Sequence, residues 1–280
     1  MKISSILSTL ALAAAIVTAA CAASAQSSDY VHFRAHNAGM TAVQPSWMGP
    51  LIQSDSRLSQ SVRISVANFN QPGAQVLSYG NNHGMTVIAA RRLQFEFDPP
   101  AFFRNHSAAL KDGFGNAAAQ IKCRIASGNA EHGNYAVTAI LSHDFAPRAY
   151  QNDLLSSVYE PKIAAGKAFG RFNVQTTLGG FLPTAKVTEQ GRGIEWNVTG
   201  QVHPNDKLWL DVENNSLFMK GSSADGKTQN FMTPAAFYML RRREWGPTHS
   251  VAVLGAGMQI ATSSFHFYNH NLITEVRILF

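Results

Sequence analysis

Gly221 to Thr228, GSSADGKT, matches G-x-x-x-x-G-K-[ST] letter for letter. In a nucleotide-binding loop this spacing wraps backbone N–H groups around phosphates and brings a lysine to them. That chemistry needs a buried strand before the loop and a helix after it, so that the helix N-terminus faces the anion. The residues that follow, QNFMTPAAFYML, are β-like and broken by Pro234, so a Gly, Ser and Asp-rich surface turn accounts for the same eight residues. His266 and His270 have H-x3-H spacing, which converges on a helix but leaves the two rings roughly 13 Å apart along a strand. Ser142 or Ser157 beside His143 would be the pair for nucleophilic hydrolysis, but no G-x-S-x-G elbow is present to favour either serine. No catalytic residue, cofactor or metal is assigned from these motifs.

The remaining charged residues sit at alternate positions in longer segments. Leu93, Phe95 and Phe97 oppose Arg92, Gln94 and Glu96, and Ile121, Cys123 and Ile125 oppose Gln120, Lys122 and Arg124. Phe172, Val174, Thr176 and Leu178 alternate with Arg171, Asn173, Gln175 and Thr177. Ile194, Trp196 and Val198 do so with Glu195, Asn197 and Thr199, and Leu208, Leu210 and Val212 with Asp211 and Glu213. Such alternation predicts strands with one apolar and one polar face. Ten segments are read as strands, 61–69, 84–97, 114–126, 134–144, 167–180, 192–203, 207–218, 229–240, 249–262 and 270–280, of which 229–240 is interrupted by Pro234 and Val251 to Ala261 is apolar or small on both faces. Turn-forming runs such as SGNAEHG at 127–133 and HPND at 203–206 separate them. Helical spacing recurs nowhere over more than two turns, and only 150–165 leaves room for a short helix.

Ahead of the strands, residues 1–25 carry Lys2, an apolar run and small residues at Ala23 and Ala25, the layout of a cleaved secretory signal. Ala19-Ala20-Cys21 offers lipidation as an alternative. Residues 26–60 show no period and are read as an N-terminal periplasmic arm or plug segment, leaving 61–280 for the β domain. Lys2 is one of 23 Lys and Arg set against 17 Asp and Glu. The mild basic excess is spread along the chain apart from Arg241-Arg242-Arg243, which gives nucleic acid no footprint. With Cys21 removed Cys123 stands alone, so no disulfide framework exists. No apolar run approaches the 18 or so residues of a membrane helix.

Alternation by itself does not say whether the apolar faces meet a second sheet or lipid. The polar faces are rich in Asn, Gln, Thr, Ser and Gly with charges of both signs, as a narrow wet interior prefers. Segments of about 10 to 12 residues match a tilted bilayer crossing. The chain also ends on a strand, NLITEVRILF. A closed barrel gives such a strand a partner on both edges. The Arg241–Trp245 stretch then reads as a membrane-edge turn, with Trp245 in the aromatic girdle.

Leu272, Thr274, Val276, Ile278 and Phe280 resemble the C-terminal assembly signal of Gram-negative outer-membrane β-barrel proteins. DGFGNAAAQIKCRI at 112–125 and PKIAAGKAFGRFNVQTTLGGFLPT at 161–184 resemble the outer-membrane channels associated with the MetA pathway of phenol degradation. These resemblances imply an all-β, closed antiparallel transmembrane barrel in the cell outer membrane, in contact with outer-membrane lipid and with the barrel-assembly machinery. The strand count predicts ten strands, with twelve as the alternative. Arg63, Arg92, Glu96, Lys122, Arg124, Arg171, Glu195, Asp211, Glu213, Glu275 and Arg277 are expected to line the lumen, mostly in pairs. The expected function is a narrow passive channel for small solutes, hydrophobic ones included, with no catalysis. A non-conducting structural or surface-binding barrel and a soluble secreted β-sandwich are the two alternatives.

Overall fold

The computed structural model describes residues 37–71, 73–80, 84–107, 110–146, 156–240 and 250–280. The leader, Cys21, residues 26–36 and Arg241–Trp245 lie outside them. The described strands form one antiparallel sheet that closes on itself. Fifteen strand segments make twelve crossings, because three strands are each built of two pieces.

In chain order β1 is Ser61–Gln71. β2 is Ala74–Tyr79 continued by Met85–Ala90, β3 is Leu93–Asp98 continued by Phe102–His106, and β4 is Gly113–Phe114 continued by Ala117–Gly128. β5 is Tyr135–Phe145, β6 Val158–Phe169, β7 Phe172–Pro183 and β8 Arg192–Val202. β9 is Leu208–Lys220, β10 Thr228–Met239, β11 Val251–Ala261 and β12 His270–Leu279. Each strand pairs with its neighbours in sequence, and β12 returns to β1 from Ser61↔Leu279 to Phe69↔Asn271.

Twelve strands replace the expected ten for two local reasons. Residues 84–97 are two strand pieces joined by a turn at 91–92, and each is completed elsewhere, by Ala74–Tyr79 and by Phe102–His106. Pro99 and Pro100 lie where β3 is interrupted, as expected of residues with no N–H for a ladder. The second reason is β6, whose alternation is hidden by Pro161 and by Ala and Gly on both faces. Its pairing with β7 skips Glu160 and Pro161, resuming at Tyr159↔Leu182. The described part of 150–165 is therefore strand and not helix.

Outward positions carry the apolar side chains, with Phe97, Ile125, Ile163, Leu178, Ile194, Val212 and Leu272 all exposed. A closed sheet leaves no backbone group bare, which in hydrocarbon would cost several kcal/mol each. This excludes the soluble sandwich, because a sandwich has a second sheet over its apolar face and open edges. The end carrying the start of β1 and the end of β12 has mostly short turns, two residues at 91–92 and at 170–171, with 240–250 its one long connection. The other end has the longer connections, such as 184–191 and 262–269, which makes the first end periplasmic and the second extracellular. Counted this way, the 146–157 connection is extracellular.

Phe280 extends the seam by one bond, its N–H donating to Gln60 O at 3.2 Å. Deleting Phe280 is expected to lower the fraction of chain that reaches the folded, heat-modifiable form in the membrane. Gel mobility without boiling checks this, and wild-type levels of the folded form would contradict it.

Candidate functional site

The interior holds part of the chain itself. Residues 37–41 form a helical turn near the periplasmic mouth, where Ser127 and Asn129 side chains donate to Val43 O and Ala42 O. From there the segment runs into the barrel, turns near Leu51–Ser54 and returns to Gln60. It is tied across its own two limbs. Asn37 donates to Gln60, Gln44 bonds both N–H and C=O of Leu58, and Trp47 Nε1 donates to Asp55.

The tip is fixed by one carboxylate. Glu213, with no exposed surface, accepts the N–H groups of Leu51 at 2.6 Å, Ile52 at 3.0 Å and Gln53 at 2.9 Å. Successive amides aimed at one anion form a nest, which suits a charge that cannot reach water. The arm's carbonyls meet cations instead. Arg277 donates to Gly49 O at 2.8 Å and Pro50 O at 3.1 Å, and Arg63 to Leu51 O at 3.1 Å. Lys122 reaches Asp55 O at 3.3 Å, and Arg124 reaches Met40 O at 2.9 Å. Glu275 lies between Arg63 and Arg277 and bonds both.

The arm touches both sides of the wall, bonding β4, β5 and β7 through Lys122, Thr138 and Gln175, with its apolar contacts concentrated on β9 to β12 and β1. Trp47, Met48 and Leu51 join inward-facing Ala67, Trp209, Phe237, Val253 and Ile273 in a buried apolar cluster. Two glycines allow this approach. A Cβ on Gly257 would lie 2.5 Å from Leu51, and one on Gly166 would lie 2.8 Å from the Trp47 ring. The two-sided apolar and small pattern of β11 in the sequence is the mark of this contact, since one of its faces meets lipid and the other the arm.

The opposite half of the wall is polar and partly open. A void of about 970 Å³ runs beside the arm, lined at the periplasmic end by Met239, Val251 and Phe280. Toward the other end its lining includes Glu96, Asp98, Asp144, Glu160 and Glu195. Lys162 is held between Glu160 at 2.8 Å and Glu195 at 2.7 Å, and Lys122 lies 3.8 Å from Glu96. A smaller void of about 200 Å³ sits above the arm tip between Gln53, Asn197, Asn215, Gln229 and Gln259.

Of the residues expected on the lumen wall, Arg63, Glu96, Lys122, Arg124, Glu195, Asp211, Glu213, Glu275 and Arg277 have inward side chains, and Gln201 donates to Asp211 at 3.3 Å. Arg92 and Arg171 are exposed in turns, where the extended pattern from which their facing was read has ended. Arg171 donates across to Pro204 O in the next periplasmic turn. Asp98, Asp144, Glu160 and Lys162 were missed, the first two because they close strands and the others because β6 was not recognised. In the C-terminal strand Leu272 and Thr274 are exposed and Val276, Ile278 and Phe280 half-buried.

The motifs with chemical spacing come apart. Gly221–Thr228 is a turn with a single 3-10 turn at Ser222–Ala224, and the next strand starts at Thr228, so no helix faces an anion. His266 is bonded to Ser263 O and Asn269, and among the described residues no three metal-ligating side chains converge. Ser142 points inward to Gln120, whereas His143 lies outside, edge-on to Phe145 at 4.4 Å and tilted against Tyr159 at 4.2 Å. Ser157 accepts from Ala146 N.

Among its described residues the chain is an outer-membrane β-barrel with twelve strands and an occupied lumen. No known family model and no curated protein matches the sequence. Among solved structures its fold is similar to the NanC porin, with TM-score 0.52 and 6% identity over 78% of this chain and 98% of that one. It is also similar to an outer membrane channel from Pseudomonas putida F1, with TM-score 0.55 and 12% identity over 84% of this chain and 100% of that one. Both likenesses concern the fold.

Two outcomes follow from the docked arm. Glu213→Ala leaves three buried amides without an acceptor and is expected to weaken docking by about 3 kcal/mol. Protease cleavage within 37–60 of the refolded barrel, much faster than in wild type, checks it. The second concerns Asp55, where burial pushes the carboxyl up but Arg57, bonded at 2.9 Å, together with Lys122 outweighs it and holds the group below its ordinary range. A depressed folded pKa contributes stability above the unfolded value, and that stability is lost as pH falls through the folded value. Docking is therefore expected to weaken below about pH 4, and Asp55→Asn should flatten that limb of the cleavage-against-pH curve.

Proposed function

We propose that the chain is a passive outer-membrane channel for small solutes, narrowed by its own N-terminal arm. In this reading residues 1–25 are a secretory leader, 26–60 form the arm, and 61–280 form the wall. The single observation that carries the proposal is the void of about 970 Å³ that passes beside the arm, with lining residues from both ends of the barrel. A barrel of this strand number is wider than one filled by its own side chains, so a single narrow arm leaves room for a passage beside it. The charged lining favours polar solutes over the hydrophobic ones that the sequence resemblance implied.

The proposed role involves no catalysis and no cofactor. Its partners are outer-membrane lipid on the apolar exterior and the assembly machinery, which reads the closing strand from Leu272 to Phe280. The alternative of a non-conducting barrel draws on the density of bonds between arm and wall, which would then serve rigidity alone.

Planar-bilayer recording of the refolded protein separates the two. The wild-type chain is expected to show small discrete conductance steps, and deletion of residues 37–58 should enlarge them several-fold. Silence in both, with the barrel intact by heat-modifiable mobility, would overturn the channel.

A further inference from the structure

The wall spends its charges unevenly. Arg63, Lys122, Arg124 and Arg277 each donate to a backbone carbonyl of the arm, whereas Glu213 is the carboxylate spent on the arm's amides. What lines the void is acidic on balance, seven carboxylates against five cations. Strand register orders it in rows. Asp98, Ala118 and Asp144 lie side by side on β3, β4 and β5. One step inward along the strands, Glu96, Gln120, Ser142 and Glu160 form the next row across β3 to β6. The third row holds Gln94, Lys122, Ile140 and Lys162, continuing through Gly179 to Glu195.

Five carboxylates thus stand over two ammonium groups, and both lysines are engaged, Lys122 with Glu96 and Lys162 with Glu160 and Glu195. Of the other cations that line the void, Arg63 and Arg277 are bound to Glu275 and Arg57 to Asp55. Asp98 supplies an independent sign that something is missing. It is only 7% exposed and lines the void, and its Oδ1 has no hydrogen-bond partner. A buried carboxylate oxygen without a donor costs more than almost any other polar group. The carboxylates are spread along a wall and do not converge as metal ligands would. The partner that fits is an extended cation that carries its own N–H donors.

We propose that this outer chamber binds organic ammonium groups and makes the channel selective for cationic solutes. The assignment deepens the channel reading and rests on it for the selectivity, but not for the binding. A cleft with one sign of charge and low-dielectric walls concentrates counter-ions. An ammonium N–H can give Asp98 the bond it lacks, while Asp144 and Glu96 hold the positive charge nearby.

Two measurements on the refolded full-length barrel test it. In bilayers under a salt gradient of methylammonium chloride, the reversal potential is expected to show cation preference. Asp98→Asn and Asp144→Asn should each lower the cation-to-anion permeability ratio by about threefold. In detergent, saturation-transfer NMR is expected to detect methylammonium on the wild type and to lose most of that signal in Asp98→Asn. Heat-modifiable mobility verifies that each variant is folded, and Asp144→Asn serves where Asp98→Asn does not fold. Unchanged NMR signal and unchanged permeability ratio in folded variants would overturn the proposal. Binding that depends on Asp98, in a barrel that passes no current, would support the ammonium site and overturn the channel.

Discussion

No backbone N–H or C=O can be left bare in hydrocarbon, and the return of β12 to β1 is what meets that requirement here. Closure fixes the rest in order. Once the strands form a cylinder, every outward residue faces lipid and every inward residue faces a space that twelve strands make too wide to fill with side chains alone. The chain fills part of that space with its own N-terminal arm. The arm is irregular backbone at membrane depth, so its amides and carbonyls need partners from the wall. Glu213 and the four cations that meet the arm are chief among those partners, joined by Ser127, Asn129 and Thr138.

The exterior was legible in the sequence and the interior was not, for a physical reason. Lipid imposes one uniform demand, so Leu178, Ile194, Val212 and Leu272 follow a simple period of two. The lumen imposes different demands on its two halves. Where the arm packs, inward residues are Ala67, Phe237, Val253 and Ile273, which removes the polar face on which strand recognition depends. β11 looked ambiguous in sequence because both of its faces are covered by apolar matter. β6 was missed for the opposite reason, since Pro161 and a run of Ala and Gly blur an alternation that its register with β5 then makes plain.

Among the charged residues, facing could be read wherever a strand was recognised, but function could not. The lumen charges were expected to be mostly paired, and Lys122 and Glu96 lie 3.8 Å apart. That Lys122 also serves Asp55 O could not be foreseen, because the arm has no period from which its path might be drawn. Likewise the sequence WMGPL at 47–51 gives apolar content without a direction. Only the glycines at 166 and 257, opposite Trp47 and Leu51, record where the arm lies.

The arm is therefore an electrostatic component as much as a steric one. Backbone carbonyls are neutral, so Arg277, Arg63, Lys122 and Arg124 bring their full positive charge into the packed interior while neutralising little there beyond Glu275 and Glu96. The carboxylates with no such duty, Asp98, Asp144, Glu160 and Glu195, are left along the open half. A lumen that holds charges of both signs thus becomes sided, basic against the arm and acidic across the void, in a chain whose overall charge is mildly basic. The same contacts that hold the arm in place set the sign of the field that a passing solute would meet.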